Sequence, residues 1–252
     1  MISRTKLASY LHEFLGCGNF HDYAPNGVQI EGKNDIKRIC TAVTASAEAI
    51  EHAIALQADA LLVHHGYFWR GEESIITGMK RQRISQLLTH DISLFAYHLP
   101  LDCHPEIGNN ACLAKLLNVD SFKMHSAGKT PNLLWSGSFT KAKTANEFLL
   151  QLEDKLGRKP LHVEGSSKPI KYFAWCSGAA QDFIEEAYNL GADAYISGEI
   201  SERTYYQAKE LGIHYFACGH HATERYGVQE LGKHLSSRFN VAHHFIDSAN
   251  PV

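Results

Sequence analysis

Several features that would point to common functions are missing from this chain. Its six cysteines (Cys17, Cys40, Cys103, Cys112, Cys176 and Cys218) show no paired C-x-x-C spacing. Several sit in apolar, strand-like surroundings, so they read as free thiols of a reducing cytoplasm and not as a disulfide framework. No apolar run approaches the roughly 20 residues that cross a bilayer, and the opening Met1–Phe14 stretch lacks the uncharged core of a secretion signal. We therefore expect a cytoplasmic protein with no membrane partner. The net charge of -3 supplies no global field for nucleic acid or an anionic lipid surface, which leaves only a local basic groove open. Gly178 and Gly198 sit in turns outside any dinucleotide fingerprint, which argues against a nicotinamide cofactor. There is no low-complexity tract or flexible linker, so any lobes should be fused.

What is present is a layout that occurs twice. Thr41-Ala-Val-Thr-Ala-Ser46 leads through an apolar-periodic stretch to Ala58-Asp59-Ala60-Leu-Leu-Val-His64-His65-Gly66. Trp175-Cys-Ser-Gly-Ala-Ala180 leads likewise to Ala192-Asp193-Ala194-Tyr-Ile-Ser-Gly198-Glu199, and the two align without a gap. Downstream, Leu94-Phe-Ala-Tyr-His98 with Asp102 answers Tyr215-Phe-Ala-Cys-Gly-His220 with Glu224. Strands are expected over 36–43, 60–63, 93–97, 194–196 and 214–218. Helices are expected over 46–56, 80–89, 109–117, 144–156 and 181–190, Ser46 and Thr144 serving as N-caps. This alternation predicts an α/β protein of two intimately packed, duplicated three-layer lobes with largely parallel sheets. The expected divisions are 1–125 for the first lobe, 126–169 for a connecting strand-helix-strand segment, and 170–252 for the second lobe.

Histidine is unusually abundant, at sixteen of 252 residues. Most are read as caps or satisfied core residues, including His12, His52, His125, His162, His214, His243 and His244. The duplicated positions are different. In open α/β sheets ligands bind beyond the carboxyl ends of strands, and His64, His65, His98, Asp102, Glu199, His220 and Glu224 all fall there. His220 and Glu224, four apart, share one face of a starting helix. His64 and His65 are neighbours on a strand and should diverge, serving two ions or splitting between binding and packing. Pro100 places the His98–Asp102 pair on a loop. Three histidines and two carboxylates form an inventory for a pair of Zn²⁺, Mn²⁺ or Fe²⁺ ions about 3.5–4 Å apart. Asp59 and Asp193 recur too, in turn or packing roles before strands. Lys80, Arg81 and Arg83 form a solvated helix face with a subsidiary reading as phosphate contacts. Tyr67, Phe68 and Trp69 would wall a pocket or an interface.

Six motifs carry a family resemblance: Asp22-Tyr-Ala-Pro-Asn-Gly, Val43-Thr-Ala-Ser46, Val63-His-His-Gly-Tyr-Phe-Trp69, His98-Leu-Pro-Leu-Asp102, Gly198-Glu199 and Gly219-His-His-Ala-Thr-Glu224. Through them the chain resembles, nearly end to end, the YbgI-like branch of the Nif-three-like family, the GTP cyclohydrolase 1 type 2 homologues. The resemblance implies a toroidal homohexamer with two divalent ions per subunit. His64, Asp102 and Glu224 would hold one ion and His65, His220 and Glu224 the other, with His98 and Glu199 as nearby catalytic or supporting groups. It also implies hydrolysis of a nucleotide-like substrate, such as a purine or a damaged nucleotide. The competing expectation is a ring that binds metal or ligand as a scaffold, without turnover.

Overall fold

The computed structural model describes all 252 residues as two compact units. The first comprises Met1–Leu101 and Gly227–Ala249, the second Asp102–Tyr226 and Asn250–Val252. No helix is long and apolar enough to cross a membrane. All six cysteines are buried.

The first unit is built on a five-stranded sheet. Its strands are β2 (Gly27–Ile30), β4 (Arg38–Thr44), β5 (Ala60–His65), β6 (Ser93–Ala96) and β13 (Ala242–Phe245), ordered β13-β4-β5-β6-β2. All neighbours are parallel except the β2–β6 edge. The Ala60–Val63 run is fully buried, as expected for a parallel strand covered on both faces. Helix α2 (Ala47–Ala55) starts where Ser46 accepts a hydrogen bond from the Ala49 amide, and its Ala49, Ile50 and Ala53 enter the core. Helices α1 (Arg4–Phe14) and α3 (Gly78–Thr89) also belong here, with a two-stranded ribbon of β1 (Ile2–Ser3) and β3 (Asp35–Ile36).

The second unit carries a six-stranded sheet. Its parallel centre is β10 (Ile170–Trp175), β11 (Ala194–Ser197) and β12 (His214–Ala217). Antiparallel β7 (Ser121–Ala127) and β8 (Thr130–Lys143) extend it beyond β10, and β9 (Leu161–Val163) closes the other edge on β12. The segment between the copies thus supplies edge strands to the second sheet, which is mixed where the first is nearly all parallel. Helix α6 (Ala145–Leu156) has the reciprocal Thr144–Glu147 capping box and ends at Gly157 in the left-handed conformation, φ 70°. Its Phe148, Leu152 and Leu156 pack with Trp135, Phe173, Trp175 and Phe216. Helices α5 (Asn109–Leu116), α7 (Ile184–Asn189) and α8 (Glu202–Leu211) complete this unit. The long helix α9 (His220–Phe239) has its first residues, through Tyr226, in the second unit. Its start at His220 is the starting helix expected for His220 and Glu224.

The duplication is visible in hydrogen bonds. Asp59 Oδ2 accepts from the Lys37 and Arg38 amides at 2.9 and 3.0 Å. Asp193 Oδ2 accepts from Lys171 and Tyr172 at 3.0 and 2.9 Å. Each recurring aspartate thus satisfies the first donors of the strand beside it, which accounts for its repetition without any chemistry.

Candidate functional site

In the first unit, three imidazoles collect at the carboxyl ends of β5 and β6. One ligand atom each from His64, His65 and His98 lies within 4.8 Å of the others, a group able to hold a metal ion. His64 is buried and its Nδ1 donates to the Tyr97 carbonyl at 3.0 Å, which leaves Nε2 as the nitrogen that could ligate an ion. His65 is half-buried, with Nδ1 3.2 Å from the Thr44 hydroxyl. The two rings are 4.6 Å apart, closer than strand alternation predicts. His65 is the last residue of β5, and the pleat that sends neighbours to opposite faces stops there.

His98 is held by a residue that side-chain type alone did not single out. Asp22 accepts from His98 Nδ1 at 2.9 Å and from the Leu99 amide at 2.9 Å, and Asn26 also bonds to it. Burial opposes the charge on Asp22, but the hydrogen bond and charge of His98, with Asn26 and the Leu99 amide, prevail and lower its pKa to about 2. Asn26 in turn accepts from the His98 amide at 2.7 Å. The Asp22-Tyr-Ala-Pro-Asn-Gly motif is therefore the clamp for His98. The only sequence signal for it was the motif itself. Tyr23 and Trp69 stand against the same ring, their centroids 5.0 and 5.1 Å from that of His98. Trp69 donates through its indole to the Gly66 carbonyl. Tyr67 is instead buried, its hydroxyl bonded to the Ala45 carbonyl.

The residues after His98 form one helical turn, α4 (Leu99–Asp102), and not the loop that Pro100 implies. A proline in a first turn gives up an amide that has no helical partner, so it is tolerated there.

In the second unit, Asp102 is 4% exposed, and its Oδ1 accepts from Asn109 Nδ2 at 2.9 Å and Ser177 Oγ at 2.8 Å. His220 opens α9, and its Nε2 lies 3.1 Å from Glu224 Oε2 one turn later. Its Nδ1 donates to Glu199 Oε1 at 2.7 Å. Burial opposes a proton on this ring, but the Glu224 and Glu199 carboxylates outweigh it and raise its pKa to about 9. Glu199 comes from the end of β11 and Glu224 is 2% exposed, so a buried acid and a half-buried one grip opposite edges of one imidazole.

The glycines here leave space as well as making turns. A Cβ on Gly178 (φ +67°) would stand 2.2 Å from Glu224 Oε1 and 3.2 Å from His220 Nε2. One on Gly198 would fall 2.7 Å from the His220 Cα. Thr223 accepts from the Gly178 amide at 3.0 Å and bonds back to the Gly219 and His220 carbonyls, fixing the start of the helix.

Lys80, Arg81 and Arg83 lie on α3. Lys80 is already engaged by Glu72 at 3.1 Å, the Glu73 carbonyl at 3.0 Å and the Phe68 ring at 4.9 Å. Arg81 is exposed and Arg83 half-buried.

Residues 2–251 match the family described as Duf34/NIF3 (NGG1p interacting factor 3). A Yersinia pestis protein named GTP cyclohydrolase 1 type 2 homolog is 48% identical over 249 residues, 98% of each chain. A protein of the same name from Allochromatium vinosum is 49% identical over 246 residues, covering 98% of this chain and 96% of its own. Among solved structures, one described as protein ybgI of unknown function superposes with a TM-score of 0.95 at 43% identity, covering 100% of both chains.

Proposed function

Because the chain belongs to the Duf34/NIF3 family, we propose that it is a hydrolase of a nucleotide-like substrate that works with two divalent cations. His64, Asp102 and Glu224 would hold one ion, and His65, His220 and Glu224 the other. The observation that carries this reading is a donor group in each unit: one ligand atom each of His64, His65 and His98 lies within 4.8 Å of the others, and His220 Nε2 lies 3.1 Å from Glu224 Oε2. Imidazole and carboxylate without thiolate suit Zn²⁺, Mn²⁺ or Fe²⁺. The outer contacts fit as well. His64 and His220 each commit Nδ1 to an oxygen acceptor, which turns Nε2 toward a ligating role, and Asn109 and Ser177 orient Asp102.

When bound, such ions polarise a substrate oxygen and acidify water near neutral pH. The side chains divide the remaining work. His98 Nδ1 is committed to Asp22, so its Nε2 is the atom that accepts and returns a proton. Glu199 Oε1 orients His220, and Oε2 is the second proton carrier. Tyr23 and Trp69 offer aromatic faces to a planar base, while Arg81 and Arg83, with Lys80 set by Glu72, are the proposed phosphate contacts. The names of the relatives favour a purine nucleotide as substrate. We extend the proposal to assembly as a homohexamer, which the solution mass would report.

The test is Glu224→Ala, with metal content and hydrolysis of a nucleotide panel measured together. We expect metal to fall from two ions per chain to one or fewer, and hydrolysis to disappear. Equal turnover by variant and wild type would refute the reading. Metal-loaded wild type inert across the panel would favour the scaffold role.

A further inference from the structure

The first unit has a concavity at the end of its sheet opposite the imidazoles. It measures about 700 Å³ and is lined by Lys33, Lys37, Arg38 and His90, with Ile54, Ala58, Ile92 and Ala242 as its apolar wall. Apart from Ile54 on α2, these residues sit at or just before the amino ends of β4, β5, β6 and β13. The imidazoles of His64 and His65 are at the other end of β5, which at about 3.3 Å per residue is roughly 17 Å away. The concavity is therefore separate from the metal-donor groups.

Its charge is one-sided. Three permanent cations face one carboxylate, Asp59, and that carboxylate is already in use. Its Oδ2 accepts from the Lys37 and Arg38 amides, and its Oδ1 accepts from Lys33 Nζ at 3.2 Å. Arg38 donates through one terminal nitrogen to the Leu56 carbonyl at the end of α2. That contact fixes the planar head and leaves its other edge for a ligand. Lys37 is exposed and is in no ion pair.

The internal repeat supplies a control for what the fold itself needs. Asp59 donates its amide to the Arg38 carbonyl and accepts from the Ser93 amide, and Asp193 does the same with Tyr172 and His214. Positions 37, 38 and 59 thus correspond to 171, 172 and 193. The second copy keeps the aspartate and a lysine, but has Ser167, Tyr172 and Leu211 where the first has Lys33, Arg38 and His90. The strand-starting aspartate is structural in both halves. The additional cations occur in one half and are not required by the architecture.

We propose that this concavity binds the phosphate group of a small phosphomonoester. Lys33, Lys37 and Arg38 hold the dianion, and the Ile54–Ala242 wall receives the organic portion. Two ammonium groups and one pre-set guanidinium match a tetrahedral dianion better than a carboxylate, and the volume falls within the roughly 300–1,000 Å³ of small-ligand sites.

The experiment titrates the full-length protein with AMP and with inorganic phosphate by calorimetry, as purified and after chelator treatment. The chelated sample removes any phosphate uptake by metal. Lys37→Glu, and Lys37→Ala should the reversal impair folding, are compared with Lys171→Glu, the equivalent change in the second copy. We expect saturable AMP binding in both preparations that weakens at least tenfold in the Lys37 variants, changes less than twofold in Lys171→Glu, and falls with added salt. AMP binding that is absent after chelation, equally weakened by Lys171→Glu, or unchanged by the Lys37 variants would overturn the proposal. So would binding of inorganic phosphate with AMP excluded. Because the readout needs neither metal nor turnover, its failure is distinct from failure of the hydrolase reading.

Discussion

Replacing Glu199 isolates the outer support of the proposed metal centre. Glu199 Oε1 accepts from His220 Nδ1 at 2.7 Å, a short charge-assisted bond that fixes the ring and raises the donor strength of Nε2. Removing such a partner lowers metal affinity by about 10–100-fold, or about 1.4–2.7 kcal/mol. Glu199→Gln keeps an acceptor but loses the charge, so it belongs near the tenfold end. Glu199→Ala loses both and belongs near the hundredfold end. The Glu199 side chain is 37% exposed, so neither change opens a core cavity and the metal-free protein should melt within a degree or two of wild type. The assay is competition with a chromogenic chelator at fixed free Zn²⁺ or Mn²⁺, read for both ions. Under the proposed division of ligands, one of the two sites should weaken and the other should hold. Unchanged affinity at both sites in Glu199→Ala would show that His220 is not a ligand. Equal losses at both would refute the division of donors.

Other consequences can be measured directly. Gly178→Ala should lose metal and destabilise the protein by at least about 1–2 kcal/mol, since the new Cβ meets Glu224 Oε1 in a backbone with φ +67°; metal content and Tm check it. Asp22→Asn should slow hydrolysis by about 10–100-fold while metal content stays at wild-type level, because it loosens His98; equal rates would remove His98 from proton transfer. Asp59→Ala should lower stability by about 2–3 kcal/mol in denaturant titrations at neutral pH. Burial opposes the charge on Asp59, but the Lys37 and Arg38 amides and Lys33 outweigh it and hold its pKa below the ordinary value. Its stabilisation is therefore complete above the ordinary aspartate range and lost as pH falls through the depressed folded value, so variant and wild type should converge in acid. Trp135→Ala, in the fully buried core of the second unit, should cost about 3–5 kcal/mol without changing the metal-to-protein ratio of the folded fraction.

Much of the framework is legible in one dimension because its causes are local. Ser46 and Thr144 cap helices since a hydroxyl reaches an amide three residues on. The fully apolar Ala60–Val63 run announces a strand covered on both faces. His220 and Glu224 meet because a helix turn brings residues four apart together. The errors came where a local rule ran out. Pro100 suggested a loop, but in a first turn it breaks nothing. Alternation along β5 predicted diverging His64 and His65, yet the strand ends there.

The sequence by itself determined the repeat, the strand and helix order, and the short list of imidazoles and acids, because periodicity, capping and duplication are properties of neighbours in the chain. Tertiary structure alone decided which groups support them. Asp22 is 76 residues from His98, Ser177 is 75 from Asp102, and Gly178 makes room for Glu224 by lacking a side chain. His90 likewise joins Lys33, Lys37 and Arg38 only once β4 and β6 lie in one sheet. No local pattern encodes such pairings, because a hydrogen bond or a clash depends on distance in space and not on separation along the chain.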